Sequence, residues 1–554
     1  VIARAVSLLT LLLLLSPRSV MAADEAAVLH LIPSGARRGS TVEVLLRGSV
    51  NGKDSRRAWT SHPGLVVTFG KKNDRIKVDV KADVPPGRHW IRLANEGAAS
   101  SPLAFVVSAI EEIAEKEPNN SSAEAQILKS RQCVVNGVLA KSRDVDSYRV
   151  SLRKGQTLVA SMTANTALGS PMDGLIQVVS ARGFVLAQDD DSLGLDPFIA
   201  WTARRDGDYY VRVFAFPSKT NSSIQLAGGP EFVYRLTVTT ASYVDFTIPS
   251  AFTGKAPRAL QVIGWNLEKS QQTWTVDGKT QGVSDQYFHA GWSNTISLKR
   301  VTHSSQVESE PNGRKKPQIV SLPVTISGRI GAARDRDVFS FEAKKGQALR
   351  ISVESRQLGF PLDPVIRISD GKGKKLAETD TRSASTIDES ITWTAPAKGK
   401  FLAEVRDLFD HGGPRYSYRL TIEPVVATVS ATVEKDRWEV ADKPLSIKLT
   451  VSRSGGFNKP VRFEAVELPA GVIAKSVISQ PKGATAKAVA LVLSRKPDAP
   501  ARGSGVLRIV GRVDGVKDAV TVATAAIDRL PDRTEHLWLF LKPAAQKKKK
   551  KKKK

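Results

Sequence analysis

Cysteine is nearly absent: Cys133 is the only one in 554 residues. That excludes an intrachain disulfide and any zinc or iron–sulfur site built from cysteines. Histidine is scarce, with seven residues, His30, His62, His89, His289, His303, His411 and His536. None lies in a His-Glu-x-x-His pattern, and no Gly-x-Ser-x-Gly elbow occurs, so zincin and elbow-type serine hydrolase signatures are missing. Gly278-Lys279-Thr280 lacks the leading glycine of a phosphate loop, since Thr273 stands in its place. No later apolar run approaches the roughly 20 residues that a membrane-spanning helix needs. Acidic residues are outnumbered, 55 Asp and Glu against 82 Lys and Arg, a formal charge of +27. Such a surplus favours anionic partners.

What is present suits a folded chain of several domains. Hydrophobic residues make up 41% and charged residues 25%, too apolar for a disordered polymer. The start, Val1, fits an alternative start codon or a truncated one. Arg4, the apolar stretch Val6 to Leu15, the break at Ser16-Pro17 and Val20-Met21-Ala22 read as an export signal cleaved after Ala22. No cysteine follows that would take a lipid. The far end, Lys547 to Lys554, is eight lysines in a row, expected to be extended and disordered by self-repulsion. It is either a contact for an anionic surface or a solvated tail. Without those lysines and the leader's Arg4 and Arg18, the surplus falls from +27 to +17. Export and the lack of any nucleic-acid motif argue against nucleic acid as the partner.

Helical periodicity is nearly missing. Alternating runs such as Arg75-Ile76-Lys77-Val78-Asp79-Val80 and Ile447-Lys448-Leu449-Thr450-Val451, separated by Pro86-Gly87, Arg182-Gly183, Asp206-Gly207 and Asp370-Gly371, predict half-buried strands of sandwiches. The best helix candidate is the short stretch Ile110 to Lys116. The chain also repeats itself. Glu117-Pro118-Asn119, Asp144-Val145-Asp146, Lys154-Gly155-Gln156, Leu168-Gly169, Trp201-Thr202-Ala203 and Tyr234-Arg235-Leu236 recur in order as Glu310-Pro311-Asn312, Asp335-Arg336-Asp337, Lys345-Gly346-Gln347, Leu358-Gly359, Trp393-Thr394-Ala395 and Tyr418-Arg419-Leu420. A smaller unit precedes each copy, marked by Ile32-Pro33-Ser34 and Ile248-Pro249-Ser250.

These motifs, with Gly207-Asp208-Tyr209-Tyr210-Val211 and Gly399-Lys400-Phe401, resemble the bacterial pre-peptidase C-terminal domain in two copies. The resemblance implies jelly-roll-like, generally non-catalytic β-sandwiches. Pro33-Ser34-Gly35, Pro86-Gly87 and Ser101 to Val107 resemble immunoglobulin-like domains, and Gly455 to Val461 with Leu468 to Val472 resembles bacterial immunoglobulin-like modules. The arrangement is similar to large exported proteins of planctomycete-type bacteria. The expected fold is all-β: tandem β-sandwich modules, two jelly-roll-like and three immunoglobulin-like, as beads on a string. The expected boundaries are 1–22 for the leader, then modules at 23–110, 111–241, 242–304, 305–424 and 425–530. A tail at 531–554 carries the poly-Lys run.

The residues with chemistry are acidic. Glu-x-Glu-x-Asn on an extended chain turns three oxygen donors one way, and calcium takes about six to eight oxygen ligands. In collagen-binding relatives of the domain, the matching linker and loop bind calcium. The resemblance therefore implies Ca2+ ligands at Glu115, Glu117, Asn119, Asn120, Asp144 and Asp146. In the second copy it implies Glu308, Glu310, Asn312, Asp335 and Asp337. The alternative is a turn-and-cap element beside a solvated Asp pair. Asp189-Asp190-Asp191 reads as an acidic turn or a weak calcium site. Trp265, Trp274, Trp292, Tyr287 and Phe288 read as the core of a small sandwich or as a sugar-stacking strip. The function expected is an exported, non-catalytic binding or scaffold protein, not an enzyme. Its partner would be an extracellular polysaccharide, matrix or envelope protein. The alternative is an accessory chain of a separate secreted peptidase or hydrolase.

Overall fold

A computed structural model describes residues 26–52, 55–219, 225–379 and 388–542. The leader, the lysine run, Asn221-Ser222-Ser223 and Asp380 lie outside the described residues. The chain is built almost wholly of strands. Period-two sequences become one-sided strands: Arg75–Val80 alternates exposed and buried residues, and so does Leu445–Ser454. Each buried Val, Leu, Ile or Phe side chain stabilises its sheet by about 1.5–3 kcal/mol.

Five larger cores are separate from one another. The first holds Val44, Ile76, Leu93 and Phe105 between two four-stranded sheets. The second holds Cys133, Tyr148, Ile176, Val211 and Leu236, and the fourth holds Phe339, Phe341, Ile366 and Leu420. The third, smaller, is filled by Phe252, Leu260 and Trp292. The fifth surrounds Leu449, Phe463, Leu491 and Leu539. Cys133 is fully buried, which pushes its thiol up to about 12.

The two large modules share one topology. In the first, a five-stranded sheet runs Gln126–Ile127, Asp146–Leu152, Gly207–Pro217, Met172–Ser180, Val185–Asp189. In the second, the order is Gln318–Ile319, Asp337–Ala343, Gly399–Asp407, Pro364–Asp370, Lys375–Glu378. The facing sheets also correspond strand for strand. The expected helix at Ile110 to Lys116 is instead the edge strand Glu111–Ala114, paired in parallel with Cys133–Asn136. Tertiary pairing decides here. Arg235 holds Glu112 through both guanidinium nitrogens (2.6 and 2.9 Å) and so fixes the strand.

The expected tail from residue 531 is also corrected. Leu537–Leu541 is a core strand, parallel to Arg437–Val440 and antiparallel to Gly503–Leu507. It shows no alternation because both of its faces are covered. Leu537, Leu539 and Leu541 face the last core, while Trp538 and Phe540 meet Ala94, Ala99 and Trp59 of the first module.

The string folds back on itself. Arg92 and Asp436 form an ion pair of 2.8 Å between the first and last modules, with side chains 1% and 7% exposed. Burial depresses the Arg92 guanidinium to about 10 despite Asp436. Arg437 donates to Ala99 O, and Ser504 Oγ to Asn95 O. The first large module lies at the centre. Val138, Leu168 and Val233 pack on Ala104 of the first module, Phe198 packs on Trp265 (5.0 Å) of the second small one, and Glu231 pairs with Arg529 of the last. Gly35 has no room for a side chain, because a Cβ there would strike the Val106 carbonyl and the Arg235 guanidinium.

Removing one partner of a buried pair leaves an uncompensated charge, which costs about 3–5 kcal/mol. Arg92→Ala should lower unfolding stability by less than that, about 1–3 kcal/mol, because Arg437 Nε stays 3.1 Å from Asp436 and keeps it partly paired. Adding Asp436→Ala should recover part of the loss. Denaturant unfolding followed by tryptophan emission checks this; a neutral Arg92→Ala contradicts the closed arrangement.

Candidate metal centre

In each large module the acidic residues converge where the entering strand meets the first strand of the sheet. Asp146 opens the strand Asp146–Leu152, and Asp337 opens Asp337–Ala343. Both are fully buried, as are Asn119, Asp144 and Asn312, so the solvated Asp pair is not what the structure contains. Asp335 alone of the paired aspartates is half-exposed.

In the first module, carboxylate oxygens of Glu117, Asp144 and Asp146 lie within 4.8 Å of one another. The backbone N–H of Val138 donates to Glu115 (2.9 Å), that of Ala140 to Asp144 (2.6 Å) and that of Asn119 to Glu117 (3.0 Å). Tyr234 donates its hydroxyl to Asp146 (2.5 Å) and is itself paired with Tyr148. With its amide nitrogen turned inward, Asn119 donates to Glu117 and Asp146; with its oxygen inward, it offers one more oxygen ligand to a cation. Asn120 stands in the same relation to Asp144 and Val145 O.

The second module repeats the plan. Glu308, Glu310 and Asp337 converge within the same 4.8 Å. Arg329 N donates to Glu308 (2.8 Å), Gly331 N to Asp335 (2.8 Å) and Asn312 N to Glu310 (2.9 Å). Tyr418 donates to Asp337 at 2.6 Å. Phe339 replaces Tyr148, so the second hydroxyl is lost. Arg336 turns away to Glu404 and Asp410. The cluster brings Glu308, Glu310 and Asp337 together, joined by the backbone N–H of Asn312 on Glu310, and leaves Asp335 on the neighbouring turn.

A tyrosine and a glycine complete each site without a sequence signal of metal chemistry. Tyr234 and Tyr418 were visible as repeat markers but not as partners of Asp146 and Asp337. Gly137 and Gly328 belong to none of the sequence motifs. A Cβ at Gly137 would strike the Tyr234 hydroxyl and come within 2.6 Å of Glu115 Oε2, and Gly328 stands likewise against Tyr418 and Glu308. Their matching place in the two repeats was the available signal.

Like charges held out of water raise each other's proton affinity. Burial, then Glu115, pushes Asp146 up to about 9; burial pushes Glu115 up to about 7. Asp337 and Glu308 repeat those values, about 9 and about 7, for the same reasons. Each cluster needs either protons or a cation. Asp337 Oδ1 and both polar side-chain atoms of Asn312 are buried without a hydrogen-bond partner. An all-oxygen set with such orphaned atoms fits a hard divalent cation such as Ca2+.

The remaining candidates are structural in place. Asp189 accepts from Ser192 Oγ (2.7 Å) and Phe198 N (2.8 Å), which makes 189–191 a turn. Trp292 and Tyr287 are buried and Trp274 packs on Trp292 (5.3 Å), filling the small core, while Trp265 serves the junction.

Comparison with known proteins finds likeness over parts of the chain. The family model described as "Bacterial pre-peptidase C-terminal domain" matches residues 335–407. The match falls in the second large module. A stretch of 152 residues, 27% of the chain, is 28% identical to the "Probable subtilase-type serine protease" of Deinococcus radiodurans. The chain spans about a fifth of that protein's length, 20%. Among solved structures, the pre-peptidase C-terminal domain of collagenase from Bacillus anthracis is covered completely by 21% of this chain (16% identity, TM-score 0.17). A mixed-linkage glucan utilisation protein of Bacteroides ovatus, SGBP-B, is covered over 74% of its length by 72% of this chain (9% identity, TM-score 0.14).

Without divalent cations, the folded state binds more protons than the unfolded one above the ordinary carboxylate range, so stability should fall as pH rises from about 4 through 7 to 9. Calcium should remove that slope, its stabilising effect growing with pH. Thermal unfolding from pH 5 to 9 with chelator and with calcium measures both. A chelated protein whose Tm is level across this range would contradict the shared-proton clusters. Gly137→Ala and Gly328→Ala should each destabilise by about 1–3 kcal/mol by overpacking, read by denaturant unfolding.

Proposed function

We propose that this chain is an exported, non-catalytic modular protein that binds or scaffolds outside the cytoplasm, with Ca2+ stiffening both large modules. The observation that carries the reading is the duplicated all-oxygen cluster. It lies at the entrance of two equivalent sandwiches, with Asp146 and Asp337 buried and Glu117 and Glu310 exposed at its mouth, in the right place to fix how the chain enters each module. On this reading the first large module is a second copy of the matched family domain; its identical strand order supports that. Glu117, Asn119, Asp144 and Asp146 would hold the ion in the first module, with Glu115 and Asn120 at its border. Glu308, Glu310, Asn312 and Asp337 would hold it in the second, with Asp335 alongside. The ion supplies charge compensation and rigidity.

Four of the seven histidines make packing or junction contacts. His30 is buried and lies beside Arg529, His89 bonds Pro85 O at 2.8 Å, His303 bonds the Thr325 hydroxyl at 2.8 Å, and His536 stacks on Trp59. Each is committed to packing or to a junction. The charge surplus, +27 for the full chain, favours an anionic polysaccharide or an acidic matrix or envelope protein as partner, through screened, salt-sensitive attraction.

A second reading, an accessory chain that presents a separate secreted peptidase or hydrolase, is favoured by the protease match over 152 residues. One experiment separates the readings. The purified chain is assayed for binding to immobilised acidic polysaccharides and matrix proteins with calcium or chelator, and for casein hydrolysis. Calcium-dependent, salt-sensitive binding without turnover is expected. Proteolysis that rises with chain concentration would overturn a non-catalytic role. Recovery of the chain bound to an exported hydrolase would favour the accessory reading.

A further inference from the structure

The two large modules present the same sheet edge to solvent with opposite chemistry. The outermost strands are Val185–Asp189 and Lys375–Glu378, each the second strand of a hairpin. Both hairpins shift register at the same place, Val178/Val179 in one and Ile368/Ser369 in the other. Aligned on that shift, the pair Val179 and Val185 corresponds to Ser369 and Lys375. Phe184 then corresponds to Lys374, and Gln188 to Glu378.

A free edge offers unpaired N–H and C=O groups to any other strand, and folded proteins guard such edges with charge, lysine above all. The second module follows that rule with Lys374-Lys375-Leu376-Ala377-Glu378. The first does not: its edge reads Phe184-Val185-Leu186-Ala187-Gln188 and carries no charge. Phe184 is 67% exposed, Val185 48% and Leu186 40%. The charges lie outside this stretch and differ in sign at its two ends, Arg182 before it and Asp189-Asp190-Asp191 after it.

That polarity selects the partner. If a second copy lies antiparallel along the edge with Leu186 near the twofold axis, Arg182 of one chain comes opposite Asp190 or Asp191 of the other, and symmetry makes the contact twice. A parallel copy would set Arg182 against Arg182 and acid against acid. We infer that Val185–Asp189 is a self-pairing edge, through which two copies of this chain continue one sheet into the other as a symmetric dimer.

The contact is small, so the dimer should be weak, with a dissociation constant on the order of tens of micromolar. Sedimentation equilibrium of the full chain from about 1 to 200 μM tests it. A monomer–dimer equilibrium is expected. Phe184→Lys with Val185→Lys, which copies the second module's edge, should weaken it at least about tenfold. Arg182→Asp should weaken it too, and adding Asp190→Arg and Asp191→Arg should restore it. Circular dichroism shows whether each variant is folded; should the lysine variant not fold, the charge reversal and its rescue decide alone. A wild-type chain monomeric throughout, even one whose edge takes another protein's strand, overturns the inference. So does a dimer that none of these variants changes.

Discussion

A buried carboxylate beneath a tyrosine hydroxyl, with further carboxylates around it, is the constraint that organises both large modules. Asp146 under Tyr234 and Asp337 under Tyr418 sit at the start of a central strand. No charge can be buried there cheaply. The surrounding elements are therefore placed to compensate. Backbone N–H groups cap Glu115 and Glu308, a glycine opens the space for each tyrosine ring, and in the first module Asn119 can turn its amide toward Glu117 and Asp146. The entering strand is positioned by the same residues. Val138, whose N–H caps Glu115, packs its side chain on Ala104 of the preceding module. The chemistry of the cluster and the angle between modules are thus properties of one segment.

Arginine does the corresponding work between modules. Arg235 and Arg419 occupy the same place in the two repeats, and each reaches the preceding small module: Arg235 lies against Gly35, and Arg419 donates to Ser250 O. The carboxylate that holds each differs, Glu112 on an edge strand in one and Glu354 on a neighbouring strand in the other. The guanidinium therefore fixes the joint while its counter-ion is free to move between strands. Arg92 closes the circle by joining the first module to the last. A planar guanidinium with several donors suits these sites better than a lysine would.

Much of the strand content and the duplication was legible in the sequence, because alternation and turn residues are local signals. The segment 110–116 was not, since its strand character comes from pairing with Cys133–Asn136 and from Arg235, far along the chain. Nor was Leu537–Leu541 legible as a strand. Five consecutive apolar residues without turn signals suit a strand covered on both faces, and the covering face belongs to a module more than 400 residues away. In the acidic cluster the aspartates and asparagines announce themselves by type. Tyr234 and Gly137 do not, because a tyrosine and a glycine in a strand have many ordinary uses, and only packing shows which one applies.

The central claim is that these carboxylates share protons when no cation is present and exchange them for one. Calorimetric titration of the metal-free chain with calcium at pH 8, repeated in buffers of different ionisation enthalpy, measures ions bound and protons released together. The account predicts one ion per large module, with protons set free on binding because burial and the neighbouring Glu115 and Glu308 push the Asp146 and Asp337 carboxyls well above the ordinary carboxylate range. Absence of binding, or binding that releases no protons and is untouched by Asp146→Asn with Asp337→Asn, would contradict it.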